Sequence, residues 1–177
     1  MTKKKKKAGN VEKGNYRIDR VNVSAVVHST EDMEKVGEAM AELFPFEFEI
    51  EVSRAKGHYG NELTFLEVEL KDRKKIREFL RYIFERLKDS GELDYLKETL
   101  EDRIDAGNVL HLRFDKQRAY LGELTLGSSD PIAVKIKITT FPSKKEIAVK
   151  AIKEMMDEVN DDKVETDVRL TDAGSEN

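Results

Sequence analysis

The chain has 177 residues, enough for one domain of common size with a real core, and 38% of them are charged. Cysteine and tryptophan are absent, which excludes a disulfide framework and a thiolate metal site and suits a reducing compartment. No run approaches the roughly 20 apolar residues of a membrane span, so a soluble, cytoplasmic protein without a membrane partner is expected.

The net charge of −4 is unevenly placed: residues 1–15 carry +5 and residues 154–177 carry −7, leaving −2 between them. Neutralising phosphates drives most nucleic-acid affinity. In a near-neutral central stretch, any such surface must be a local patch. Lys3–Lys7 resemble a signal-peptide n-region, but polar residues follow in place of an apolar stretch, so no signal peptide is expected there. A self-repelling lysine run predicts a disordered basic arm over 1–15, and the polar, acidic composition from 157 predicts a disordered tail over 157–177.

From Ile18 to Val27, alternation predicts a strand. His28 ends it, and Ser29 or Thr30 is placed to cap a helix carrying Met33, Val36, Met40, Leu43 and Phe44, with Pro45 as its stop. Phe46, Phe48, Ile50 and Val52 alternate with Glu47, Glu49 and Glu51, the pattern of a half-buried strand. Arg54 and Lys56 lead into Gly57-His58-Tyr59-Gly60-Asn61. Two glycines three apart permit either a tight turn or close approach to a ligand, with His58 and Tyr59 at the tip. Leu63–Leu70 returns as a strand.

Asp72 then caps a strongly amphipathic helix with Ile76, Phe79, Leu80, Ile83, Phe84 and Leu87 inward. Its other face carries Arg73, Lys74, Lys75, Arg77, Arg81, Arg86 and Lys88, a basic stripe that is most simply a solvated face. Leu93, Leu96, Leu100 and Ile104 predict a second, shorter helix. Val109–Phe114 reads as a strand with His111 and Arg113 opposite its apolar side. Asp115–Glu123 follows and crowds an acid, two cations, an amide, a phenol and a glycine together. Here Asp115 and Gln117 are expected to fix a turn, Ala119, Leu121 and Leu124 to line the core, and Lys116, Arg118 and Tyr120 to face outward. Ile132–Ile138 alternates with Lys135 and Lys137 as a last strand, and a C-terminal helix is expected over residues 147–156.

Clean alternation predicts a single α+β domain over 16–156, its mostly antiparallel sheet covered by helices on one face. The open face would carry Glu47, Glu49, Glu51, His111, Arg113, Lys135 and Lys137, some of them paired across strands.

Three polar stretches, His28–Asp32, Gly57–Asn61 and Asp115–Glu123 with Asp130-Pro131-Ile132 behind, together resemble an archaeal family of predicted RNA-binding or exosome-associated proteins. The resemblance covers Tyr16–Phe141 and rests on His28, Gly57, His58, Gly60, Asn61, Asp115, Lys116, Gln117, Tyr120, Gly122 and Glu123. It implies a fold similar to the ribosomal protein that binds 5S rRNA, and RNA binding as the activity. It transfers no chemical role to any residue. The expected RNA contacts are Arg54, Lys56, Arg113, Lys116 and Arg118 for phosphates, and His58, Tyr59 and Tyr120 for unpaired bases. The alternative is a protein-interaction subunit of an RNA-processing or ribosome-related complex. Three histidines without metal-ligand spacing or a nucleophile signature argue against an enzyme, a metal or a cofactor.

Overall fold

The computed structural model describes residues 15–127 and 129–172, with side chains as far as residue 161. All of the expected basic arm except Asn15 lies outside the described residues, as do residues 173–177 of the expected acidic tail.

The elements run β1 (Tyr16–Val27), α1 (Met33–Ala41), β2 (Glu51–Lys56), β3 (Glu62–Leu70), α2 (Arg73–Asp89), α3 (Leu93–Arg103), β4 (Val109–Asp115), α4 (Lys116–Tyr120), β5 (Pro131–Thr140) and α5 (Lys145–Asp172). The five strands form one fully antiparallel sheet in the order β2-β3-β1-β5-β4. This is the α+β architecture that the alternation predicts. Val21, Val23 and Ala25 of β1 stand in register with Leu70, Val68 and Leu66 of β3, and Val21 and Val23 also with Ile136 and Val134 of β5, so one face is continuously apolar. Helices α1, α2, α3 and α5 cover it, and Phe79, Phe84 and Phe114 are fully buried between the layers.

Local chemistry sets the boundaries. Asp32, not Ser29 or Thr30, caps α1 by accepting from Glu34 N, and Asp72 caps α2 by accepting from Lys75 N. A register shift between Ile18 and Arg20 is a β-bulge. It switches the inward parity, so that Ile18 faces Ile138 in the core and Arg20 faces Lys137 on the open side.

The structure departs from the expected elements in three places. The strand expected over Phe46–Val52 pairs only from Glu51, and all six residues of β2 are exposed. The rings of Phe44 and Phe48 stack at 4.1 Å, so aromatic packing holds this segment where a ladder was expected. The last helix runs past residue 156 to Asp172, and buried Val159 belongs to the core. The basic stripe of α2 is partly structural. Arg86 reaches Glu42 and the Gly122 carbonyl, Lys88 donates to the carbonyls of Val159 and Asn160, and Lys75 lies 5.7 Å over the Phe46 ring.

Phe79 sits 0% exposed, its ring centroid 5.1 Å from that of Phe44. Phe79→Ala is expected to cost about 3–5 kcal/mol, read as a lower urea midpoint at unchanged slope.

Candidate nucleic-acid interface

Strand direction gathers the three polar stretches. β1, β2 and β4 all run the same way, so His28–Asp32, the Gly57–Asn61 turn and the β4–α4 junction emerge at one end of the sheet. At the centre of this end lies Lys116, which is only 7% exposed. Its ammonium donates to the Val26 carbonyl at 2.7 Å, to Asp130 at 2.8 Å and to Glu31 at 3.1 Å. His28 Nε2 stands 3.2 Å from the same Asp130 carboxylate. Burial alone would raise the Asp130 pKa, but the hydrogen bond and charge of Lys116, with help from His28, hold it below the usual value. His28, Glu31 and Asp130 offer ligand atoms within 4.8 Å of one another. The lysine supplies the positive charge they require, so a metal ion would have to displace it.

Lys116 therefore does not face outward as the sequence reading has it; all three of its protons are spent inside the fold. Asp115 does fix the turn, capping the short α4 by accepting from Arg118 N. Ala119 and Leu124 are buried as expected, whereas Leu121 is 75% exposed. Arg118 is exposed and pairs with Glu123 at 3.0 Å, and Tyr120 is exposed beside it.

Four of the other expected residues stand at the far edge, and Arg113 stays on β4. Arg54 and Lys56 lie on β2, opposite Thr64 and Glu62, and point to the helical side of the sheet beyond the helices' cover. His58 and Tyr59 cap the turn, their rings 5.2 Å apart edge to face, and Tyr59 is 93% exposed. Four strand spacings, about 19 Å, separate β2 from β4, so the eight residues do not form one cluster. The glycines serve the turn: Gly60 has φ +79°, and a Cβ on Gly57 would lie 2.5 Å from Asn61 Oδ1.

The open face carries the strongest charge pattern. Register lines up Arg113–Ala133–Ser24, then His111–Lys135–Asn22, then Val109–Lys137–Arg20 across β4, β5 and β1. Arg20, His111, Arg113, Lys135 and Lys137 thus share one half of the face. Beyond β1 the same rows continue into Glu67, Glu69 and Glu51 on β3 and β2. The expected cross-strand neutralisation does not occur. Instead Arg20 faces Lys137 and Glu51 faces Glu67, and Asn22, which bonds Glu67, stands at the divide. Two acids border the basic half, and both are engaged. Asp105 holds His111 at 2.8 Å, a bond that keeps its pKa low, and Asp19 accepts from Thr139 and Arg17. Arg113, Lys135 and Arg20 have no side-chain partner among the described residues. Of this half, the sequence reading names only Arg113 as a contact. The Lys135/Lys137 alternation was a legible signal, and Arg20 has the same outward parity as Asn22 and Ser24.

The fold and its open face define an α+β domain with a charge-divided antiparallel sheet, and among the described residues no helix is long and apolar enough to cross a membrane. More narrowly, residues 20–138 match the family model described as RNA binding, and the chain belongs to that family. The RNA-binding protein PAB1135 of Pyrococcus abyssi is 37% identical over 150 residues, 81% of this chain and 97% of that protein. The crystal structure of AF2318 from Archaeglobus fulgidus is 55% identical and covers 78% of this chain and 99% of its own, with TM-score 0.72. Mth689 from Methanothermobacter thermautotrophicus is 34% identical over 78% of this chain and 98% of its own, with TM-score 0.66. Both were solved as members of the DUF54 family.

Two outcomes test the lysine clamp. Lys116→Met is expected to destabilise the fold by about 3 kcal/mol in urea denaturation, the low end for a broken buried pair because both carboxylates keep some water contact. The Asp130 pKa is depressed on folding, so its contribution is present above the unfolded value and lost as pH falls through the folded one. Acid unfolding below about pH 4 should be shallower in Asp130→Asn than in the parent.

Proposed function

We propose that this protein binds RNA without catalysing a reaction, gripping phosphates on the basic half of its open sheet face. The observation that carries the reading is the register that sets Arg20, Lys135 and Arg113, all unpartnered among the described residues, beside His111 and Lys137. Family membership and the printed name of the Pyrococcus relative support RNA as the ligand. Among the described residues the one ring in the basic half is the His111 imidazole, and Phe65 of the same face stands across β1 beside Val26, so the cations suit backbone contact without base reading. Tyr59 and His58 at the opposite corner are placed to stack on unpaired bases of the same strand. A non-catalytic role is supported by the scatter of the histidines: His28 at the end of β1, His58 at the far turn and His111 on β4.

The setting we infer is RNA processing, with exosome machinery as the assembly suggested by the family resemblance. A second reading is a protein-interaction subunit, favoured by the acidic half with Glu51, Glu67 and Glu69, which repels phosphate and suits a basic protein surface. Co-purification with RNA-processing subunits, and its loss in Glu67→Lys/Glu69→Lys, tests that assembly role.

For the RNA reading, affinity for a single-stranded RNA is measured against salt. Arg113→Gln/Lys135→Gln is expected to weaken binding about tenfold near 100 mM salt and to lower the log–log slope by about 1.4, at roughly 0.7 per lost contact. An unchanged slope would sink the phosphate role of this face.

A further inference from the structure

On the helical side of the same end of the sheet, α1 and α4 enclose an open groove of about 500 Å³. Val36 and Ala39 form its floor, and Tyr120 and Leu121, 43% and 75% exposed, form one wall. Its polar rim includes Asp32 and Gln117. We propose that this groove takes a single unstacked guanine base of a bound RNA, stacked on Tyr120, with Asp32 accepting from its Watson–Crick edge. The proposal rests on the RNA reading and adds a base-selective site to it.

Charge decides what the groove accepts. Lys116 borders it but its ammonium is consumed by Val26, Glu31 and Asp130, which leaves Lys35 as the remaining cation of the lining. Of the acids, Glu31 is paired with Lys116 and Asp32 stands against Lys35, so the lining offers no net positive charge and a phosphate is disfavoured. An uncharged aromatic ring with hydrogen-bond donors is favoured. One oxygen of Asp32 accepts from Glu34 N, and the other has no protein partner among the described residues. Among the bases, guanine alone presents two adjacent donors, N1–H and the 2-amino group, to a carboxylate. The Gln117 amide, also without a side-chain partner among the described residues, can meet the guanine O6 or N7 acceptors. Arg113 lies two residues before Asp115, at the strand end that leads into α4, so an RNA held on the basic half can turn over this end into the groove.

The test compares U6 with UUUGUU, UUUAUU and UUUCUU by fluorescence anisotropy on the full chain at fixed salt. The guanine-containing RNA is expected to bind about tenfold tighter than U6, with adenine and cytosine near U6. In Asp32→Asn, which keeps a good helix cap, the ratio should fall towards one. Gln117→Leu, at an exposed site, should lower it in part. Arg113→Gln/Lys135→Gln should weaken all four RNAs and keep the ratio. Equal affinity for the four RNAs in the parent, or a guanine preference that survives Asp32→Asn, overturns the groove assignment while leaving RNA binding intact. If none of the RNAs binds, both the groove and the RNA reading are overturned.

Discussion

The Lys116 ammonium is the constraint on which the functional end of this molecule depends. A buried charge is tolerated only where every proton finds an acceptor. Here the acceptors come from three separate parts of the chain: the end of β1 at Val26, the end of the β1–α1 connection at Glu31, and the loop before β5 at Asp130. One side chain therefore fixes the separation of three segments that sequence alone leaves independent. It anchors the start of α4, whose Tyr120 lines the α1 groove, while the pleat of β4 turns Arg113 to the open sheet. His28 extends the cluster by leaning on Asp130, so the polar residues after β1 are bound into the clamp.

How much was legible follows from how local each signal is. Alternation at Val21–Val27 and Ile132–Ile138, and the 3–4 spacing from Ile76 to Leu87, are read within a few residues, and they give the elements and the covered face. Asp72 and Asp115 as caps are equally local. Lys116 was illegible because its partners lie 90, 85 and 14 residues away, and a lysine between a strand and a polar turn looks solvated until those partners arrive. The bulge reverses parity inside what reads as one strand, so Ile18 turns inward although Arg20, two residues on, faces out with Asn22 and Ser24. The Phe46–Ile50 alternation was real in burial and misleading in pairing, because a side-chain pattern reports what packs, not which backbone groups are bonded.

The same distinction explains the charge. A near-neutral central stretch suggested weak electrostatics, yet neutrality of the sum says nothing about placement. Strand order β2-β3-β1-β5-β4 puts the glutamates of β2 and β3 on one side of β1 and the cations of β4 and β5 on the other. At the β4 edge, the 105–108 turn and the 125–127 segment occupy the outer backbone groups through Asp105 N to Val109 O, Asp115 N to Thr125 O and Gly127 N to Arg113 O. That edge is closed to further strands, so its exposed side chains are left to contact something other than a sheet.

Segregation also carries a thermodynamic cost. Like charges directly opposite in an antiparallel pair are destabilising, and opposite charges contribute roughly 0.2–1 kcal/mol per pair. Arg20 opposite Lys137 and Glu51 opposite Glu67 forgo that contribution twice. Exchanging one cation and one glutamate between the halves would give unlike pairs without touching the core. A face arranged for stability alone would be mixed in sign. Its division into a cationic and an anionic half forgoes that mixing and leaves two surfaces of opposite sign on either side of β1. The cationic half holds its flanking acids in bonds of their own, at Asp105 and Asp19, so that Arg20, Arg113 and Lys135 stay open to an anion from outside.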